Sequence, residues 1–402
     1  MKQLASLPSD IKQYLIITGN YWAFTLTDGA LRMLVVLYFH QLGYSPLSIA
    51  MLFLFYEIFG VITNLFGGYL GARLGLNKTM NLGLVLQIVS LLMLTASQDW
   101  LTVVYVMAAQ ALSGIAKDLN KMSAKSSIKM LVASGQEGTL FKWVAILTGS
   151  KNALKGIGFF LGGLLLTLLS FKGAMLLMAI VLSLIWCFSI VALKQDLGKA
   201  KNKPKFSEIF SKSRAINILS AARLFLFAAR DVWFVVALPV FLSQTFNWDH
   251  WHVGGFLALW VIGYGIVQSV APTLFNLEKG MSVAKETVTW ALLLSFVTLL
   301  ICFALYFQWS TSVLLIVGLL IFGALFAVNS SLHSYLIVSM ADADGVSLDV
   351  GFYYMANALG RLLGTVLSGW IFQAYGLIAC LAISFSFILL TAAISTKLPK
   401  KL

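Results

Sequence analysis

Acidic residues are scarce in this 402-residue chain: Asp and Glu number 15 against 28 Lys and Arg, and only 11% of residues are charged. Soluble chains carry about 25%. With 60% hydrophobic residues and a mean hydropathy of +0.90, the chain cannot coat a water-soluble core. An integral membrane protein is expected, with apolar runs beyond the ~20 residues that span hydrocarbon. Cysteine is also scarce. Cys187, Cys302 and Cys380 stand alone in apolar runs, which excludes a disulfide framework and assigns them to packing. Four histidines, with only His250 and His252 in one loop, give no metal site. No cleavable signal is expected, because residues 1–12 are short and polar and the next run is too long for a signal core. The net charge of +13 does not mark a nucleic-acid binder, since much of it falls in one linker and inside apolar segments.

What the chain has in quantity is apolar sequence. An all-α membrane protein with twelve spanning segments is predicted, near 13–41, 46–72, 78–98, 101–131, 138–169, 173–193, 214–244, 249–275, 283–307, 311–340, 346–373 and 376–396. Ser45-Pro46 and Asn247-Trp248-Asp249 read as helix starts. The one long polar linker, residues 194–213, holds Lys194, Lys199, Lys201, Lys203, Lys205 and Lys212 against Asp196 and Glu208. Such a basic loop stays cytoplasmic. It separates a six-helix bundle at 1–193 from another at 214–402, so both termini are expected in the cytoplasm, in keeping with Lys397, Lys400 and Lys401.

The two halves carry an echo. Asp28 precedes Pro46 by 18 residues, and Asp231 precedes Asp249 by 18. Six helices, a basic linker and six related helices resemble the major facilitator superfamily, whose halves are parallel repeats related by a pseudo-twofold axis. GGYLGARLGLNK, residues 67–78, resembles its loop signature through Gly68, Arg73, Gly75 and Lys78. Ala72 stands at the usual Asp position.

Charges at membrane depth cost about 2.5–3.5 kcal/mol each at a helix centre, so they mark function. The chain has many: Asp28 and Arg32 in segment 1, Glu57 in segment 2, Lys117, Asp118, Lys121 and Lys125 in segment 4. Lys151 and Lys155 follow in segment 5, Arg223, Arg230 and Asp231 in segment 7, and Arg361 in segment 11. Segments 3, 6, 9 and 12 carry essentially none within their spans. In the superfamily those four usually face lipid, and the others line or flank the cavity. Basic residues in a cavity call for an anionic ligand. Substrate binding is therefore expected of Arg32, Lys117, Lys121, Lys151, Lys155, Arg230 and Arg361, with Tyr353 and Asn357 beside Arg361. Proton coupling falls to Asp28, Glu57, Asp118 or Asp231, with Asp28 and Glu57 preferred. Lys125 and Lys129 read as snorkelling lysines. Asp28 and Arg32 have the spacing of an i,i+4 pair. Asn329 and His333 read as packing hydrogen-bonders.

Four blocks are more specific: YWAFTLTDGALRMLVVL, QALSGIAKDLNKMSAKSSIK, WVAILTGSKNALKGIGFFLGG and SAARLFLFAARDVWFVVALPVF. Together they resemble the ArsJ family of arsenic-resistance permeases. The resemblance implies export of 1-arseno-3-phosphoglycerate, which a partner glyceraldehyde-3-phosphate dehydrogenase makes from arsenate and glyceraldehyde 3-phosphate. It also implies a bacterial plasma membrane and a monomer, without cofactor or enzymatic activity. Trivalent arsenic would want thiolates, and three scattered cysteines do not supply them. The rival readings are an organophosphate–phosphate exchanger of the same fold and a non-transporting membrane sensor. An ester hydrolase lacks a nucleophile–base pair.

Overall fold

The computed structural model describes residues 9–44, 49, 52–133, 135–193, 197–200, 212–248, 250–275, 283–309 and 311–399. The expected helix starts at Ser45-Pro46 and Asp249 lie outside the described residues. So do Lys194, Asp196, Lys201, Lys203, Lys205 and Glu208 of the linker, and Lys400 and Lys401.

Among the described residues the chain is helical, with no strand. In order, α1 is Ser9–Gln41, α2 Leu54–Leu74, α3 Leu76–Met93, α4 Val103–Leu131 and α5 Glu137–Ala192. Then come α6 Arg214–Phe234, α7 Ala237–Phe246, α8 His250–Val270, α9 Val283–Tyr306, α10 Thr311–Met340 and α11 Val346–Ser395. Single 3-10 turns occur at Gln98–Trp100 and Ala271–Leu274.

Among the described residues, eight helical stretches are long and apolar enough to cross a membrane. α2 and α4 are not among them; α4 carries Lys117, Asp118, Lys121, Lys125 and Lys129 in its second half. α5 and α11, at 56 and 50 residues, would run about 84 and 75 Å if straight. Neither is straight. α5 breaks at Ser170 (φ 62°) and α11 at Gly376 (φ 77°). Both breaks fall at turns expected from the sequence. α6 and α7 are two pieces of one apolar stretch, and the Ser368 hydroxyl accepts the Ala237 N–H at their break, 3.1 Å.

The chain divides into two compact units. Unit 1 comprises Met1–Leu140, Ser150–Ser211 and Ala341–Met355. Its core gathers Phe24, Leu31, Leu34 and Phe39 of α1 with Leu84 and Leu91 of α3, Val106 of α4, and Phe171 and Met175 of α5. The helices approach closely where side chains vanish. A Cβ on Gly29 would sit 2.7 Å from the Lys155 carbonyl, and one on Gly158 2.7 Å from that of Leu26. That glycine crossing brings α5 against the polar face of α1. The Leu197–Ala200 strip docks on the loop between α2 and α3. Leu76 N–H donates to the Leu197 carbonyl at 2.8 Å, and Ala200 N–H to that of Ala72 at 2.9 Å. The position where the loop signature usually has an acid is thus held through its backbone.

Unit 2 comprises Phe141–Gly149, Lys212–Met340 and Ala356–Leu402. Its core is aromatic. Trp233 meets Phe322 edge-on at 4.9 Å, Trp260 stacks on Tyr264 at 5.8 Å, and Phe227 packs on Phe326 at 5.3 Å. Trp260 also donates its indole N–H to the Leu319 carbonyl, 2.9 Å, tying α8 to α10.

Candidate functional site

Each unit gathers its buried charges into a cluster. In unit 1 the centre is Tyr56, fully buried on α2. The Arg32 guanidinium lies 4.0 Å from its ring centroid, and the Lys117 ammonium 3.9 Å from it. Two cations therefore share one aromatic ring, each interaction being worth about 0.5–2 kcal/mol. The Tyr56 hydroxyl donates to Asp28 Oδ1 at 2.8 Å. Lys155 approaches the other oxygen, Oδ2, at 3.9 Å. Arg32 Nη2 donates to Glu57 Oε1 at 2.9 Å. Asp118 is buried between two lysines, with Lys121 at 2.5 Å and Lys117 at 3.5 Å. A Cβ on Gly60 would fall 3.0 Å from the Asp118 carboxylate, so this glycine lets α2 meet α4 at the charges.

The cluster revises three expectations. Arg32 reaches across to Glu57 on α2 rather than pairing with Asp28 one turn back, because Tyr56 and Lys155 occupy that carboxylate. Lys125 does not snorkel: it is buried, 5.0 Å from the Tyr354 ring, which Lys121 also faces at 4.5 Å. Tyr353 is fully buried and packs edge-on against Tyr354 at 4.9 Å. Lys151 is half-buried on α5, one turn before Lys155.

In unit 2 the centre is a carboxylate. Asp231, 1% exposed, accepts from Arg230 Nε on one oxygen at 2.6 Å and from Arg361 Nε on the other at 3.3 Å. α11 can come this close to α6 because it presents Gly364 there. A Cβ there would be 2.8 Å from both the Ala228 carbonyl and the Asp231 Cβ. Arg230 is further walled by Phe227 and Phe326, at 4.8 and 5.4 Å. Asn357 belongs elsewhere: its Oδ1 accepts from Arg223 Nε at 2.8 Å. Arg223 Nη1 also bonds Ser330, at 3.0 Å to the hydroxyl and 3.2 Å to the carbonyl. The expected packing bonds of His333 are absent. It is fully buried, and neither ring nitrogen has a partner among the described residues. Asn329 does donate, to the Thr287 carbonyl at 3.1 Å.

Sequence reasoning missed Tyr56, Tyr264, Gln268 and Ser330. Tyr56 abuts an intramembrane acid, Glu57, and that adjacency was the available signal. Nothing in the sequence singles out Tyr264 or Gln268. All three cysteines are free thiols, and Cys187 is exposed rather than packed. No group of three or more His, Cys, Asp and Glu able to hold a metal occurs among the described residues.

Such clusters suit anion binding. The cations in them are committed at least in part to acids or aromatic rings. Arg32, Lys117, Lys121, Lys155, Arg230 and Arg361 keep 12–28% of their side-chain surface exposed.

Known proteins agree on the architecture. The family model described as Major Facilitator Superfamily matches residues 17–280. The fold is similar to that of the human organic anion transporter MFSD10 (TETRAN), at TM-score 0.76 and 16% identity, covering 97% of this chain and all of that one. The Escherichia coli fucose:proton symporter FucP gives TM-score 0.75 at 11% identity, covering 98% and 100%. A bacterial homologue of the iron transporter ferroportin gives 0.73 at 14%, covering 97% and 99%. No curated protein sequence matches this chain.

Proposed function

The chain belongs to the major facilitator superfamily, and from that premise we propose that it is a secondary transporter exporting an arsenylated organophosphate, 1-arseno-3-phosphoglycerate. The observation that carries this reading is the pair of cation clusters, Arg32–Lys117–Lys155 around Tyr56 and Arg230–Arg361 on Asp231. Each cluster by itself supplies cationic donors suited to an anionic group. The identity of the anion rests on the ArsJ resemblance of the four sequence blocks. Likeness to an organic anion transporter at 16% identity supports only the fold.

On this reading α5 and α11 each cross twice, breaking at Ser170 and Gly376. Twelve crossings result, six on either side of a cytoplasmic linker, with both termini inside a bacterial plasma membrane. The protein works as a monomer by alternating access and is not an enzyme. Glyceraldehyde-3-phosphate dehydrogenase supplies its cargo. Proton antiport drives export, with Asp28 and Glu57 as the carriers.

The test is arsenate tolerance and arsenic retention in arsenic-sensitive cells, with and without the dehydrogenase. Tolerance that needs the partner and lowers retention is expected, and it is lost in well-expressed Lys117→Ala and Arg230→Ala variants. Tolerance without the dehydrogenase would point to arsenate itself. No effect in either case would favour the phosphate-ester exchanger.

A further inference from the structure

The lysine series of α4 continues beyond Lys117, and a second tyrosine ring meets it. Tyr354 of α11 is buried and faces the Lys121 ammonium at 4.5 Å and the Lys125 ammonium at 5.0 Å. The two lysines lie one turn apart, where like charges repel. An aromatic face attracts both. Lys121 also pairs with Asp118. Lys125 is only 2% exposed, between a half-buried Lys121 and a half-buried Lys129. Exposure thus falls and rises again along one helix face, and its minimum lies at the ring.

A close crossing of α11 on α2 brings Tyr354 there. Ser347, Gly351 and Tyr354 share one face of α11, and Asn64, Gly68 and Gly71 one face of α2. The Ser347 hydroxyl donates to the Gly68 carbonyl at 2.7 Å. A Cβ on Gly68 would fall 2.5 Å from the Ser347 carbonyl, and one on Gly351 2.5 Å from that of Asn64. The backbones touch, so a side chain added at either glycine would lift the first turns of α11, and Tyr354 with them. Those turns, to Met355, belong to unit 1 together with α2 and α4.

We propose that Tyr354 is a positioning residue for the unit 1 cluster, an inference that rests on the anion-binding reading for its purpose. Its ring holds Lys121 beside Asp118 and covers Lys125. With the first turns of α11 seated on α2, Lys117 and Lys121 are the lysines of the series that an anionic group meets. Lifting those turns adds Lys125 on the same helix face. The attraction of the cluster for an anion is thereby tied to the seating of α11.

Competitive acylation of the full-length protein in lipid nanodiscs, with rates read lysine by lysine by mass spectrometry, tests this. In the native protein Lys125 reacts more slowly than Lys121 and Lys129. Tyr354→Leu removes the ring and raises the Lys125 rate roughly three- to fivefold, the equivalent of one cation–π contact, while Lys129 is unchanged. Tyr354→Phe keeps the ring and the native rates. Gly351→Val drives a side chain against the Asn64 carbonyl and raises the Lys125 rate as Tyr354→Leu does. Should these variants fail to fold, Ser347→Ala removes only the bond to Gly68 and gives about a twofold rise. The proposal is overturned by a native Lys125 as reactive as Lys129, or by Tyr354→Phe behaving as Tyr354→Leu. An unchanged Lys125 rate in folded Tyr354→Leu or in Ser347→Ala, or a rise that Lys129 shares equally, overturns it too. The rates are read without transport, so a wrong cargo and a wrong role for Tyr354 fail separately.

Discussion

The two units solve the problem of buried cations in different ways. Unit 1 uses mainly lysines, sets them with Arg32 against three acids, Asp28, Glu57 and Asp118, and inserts a tyrosine ring between Arg32 and Lys117. Unit 2 uses arginines, sets two against the single acid Asp231, and holds a third on the neutral oxygens of Asn357 and Ser330. Lysine is a flexible point charge, whereas arginine offers a planar fork in fixed geometry. Unit 1 is thus richer in acids and adjustable. Unit 2 holds its cations in fixed planar forks. The difference shows two ways of holding buried cations: among several acids and an aromatic ring in unit 1, and on one acid and neutral oxygens in unit 2.

That contrast can be broken most sharply at Asp231. Asp231→Asn leaves two arginines facing a neutral amide at a site 1% exposed. Breaking a buried pair this way costs about 3–5 kcal/mol, toward the lower end here because Arg361 is 28% exposed. Thermal melting in detergent checks it. Asp118→Asn removes the matching acid of unit 1 and costs less, because its flexible lysines can turn toward water. Equal losses in the two variants would erase the distinction between the units.

Tyr56 sharpens the comparison next. Tyr56→Leu removes both the hydroxyl and the ring face, and costs about 2–4 kcal/mol together with transport. Tyr56→Phe keeps the ring between Arg32 and Lys117 and loses only the bond to Asp28, about 1.5–3 kcal/mol. The stability gap between Leu and Phe measures the cation–π share. If both variants melt alike, the ring contributes nothing. Lys125→Met gives the smallest effect, within about 1 kcal/mol, because a buried charge exchanged for an apolar chain of similar volume is close to neutral. A loss above that size would make Lys125 part of the ion-pair network.

Much of this was legible in the sequence, for stated reasons. Hydropathy marked the apolar spans, and the breaks at Ser170 and Gly376 fall where turns were expected. The rarity of intramembrane charge made Asp28, Arg32, Glu57, Lys117, Arg230 and Arg361 conspicuous. Their partners were not legible. Pairing depends on which helices cross, and the crossings are set by glycines such as Gly29, Gly60 and Gly364, ordinary in an apolar run. The i,i+4 spacing of Asp28 and Arg32 suggested a local pair, yet α2 and α5 offered each a different partner. Tyr56 was hidden for a related reason: one tyrosine among 13 declares nothing until two cations are seen on its ring.

Export of an arseno-ester is best tested by reconstitution. Proteoliposomes containing the chain would enclose glyceraldehyde-3-phosphate dehydrogenase, NAD, glyceraldehyde 3-phosphate and labelled arsenate, and appearance of label outside would be followed. Efflux is expected only when the chain and the complete dehydrogenase reaction are both present, and it is lost in Lys117→Ala and Arg230→Ala protein. Efflux of label without the dehydrogenase, or undiminished efflux through both variants, would contradict it.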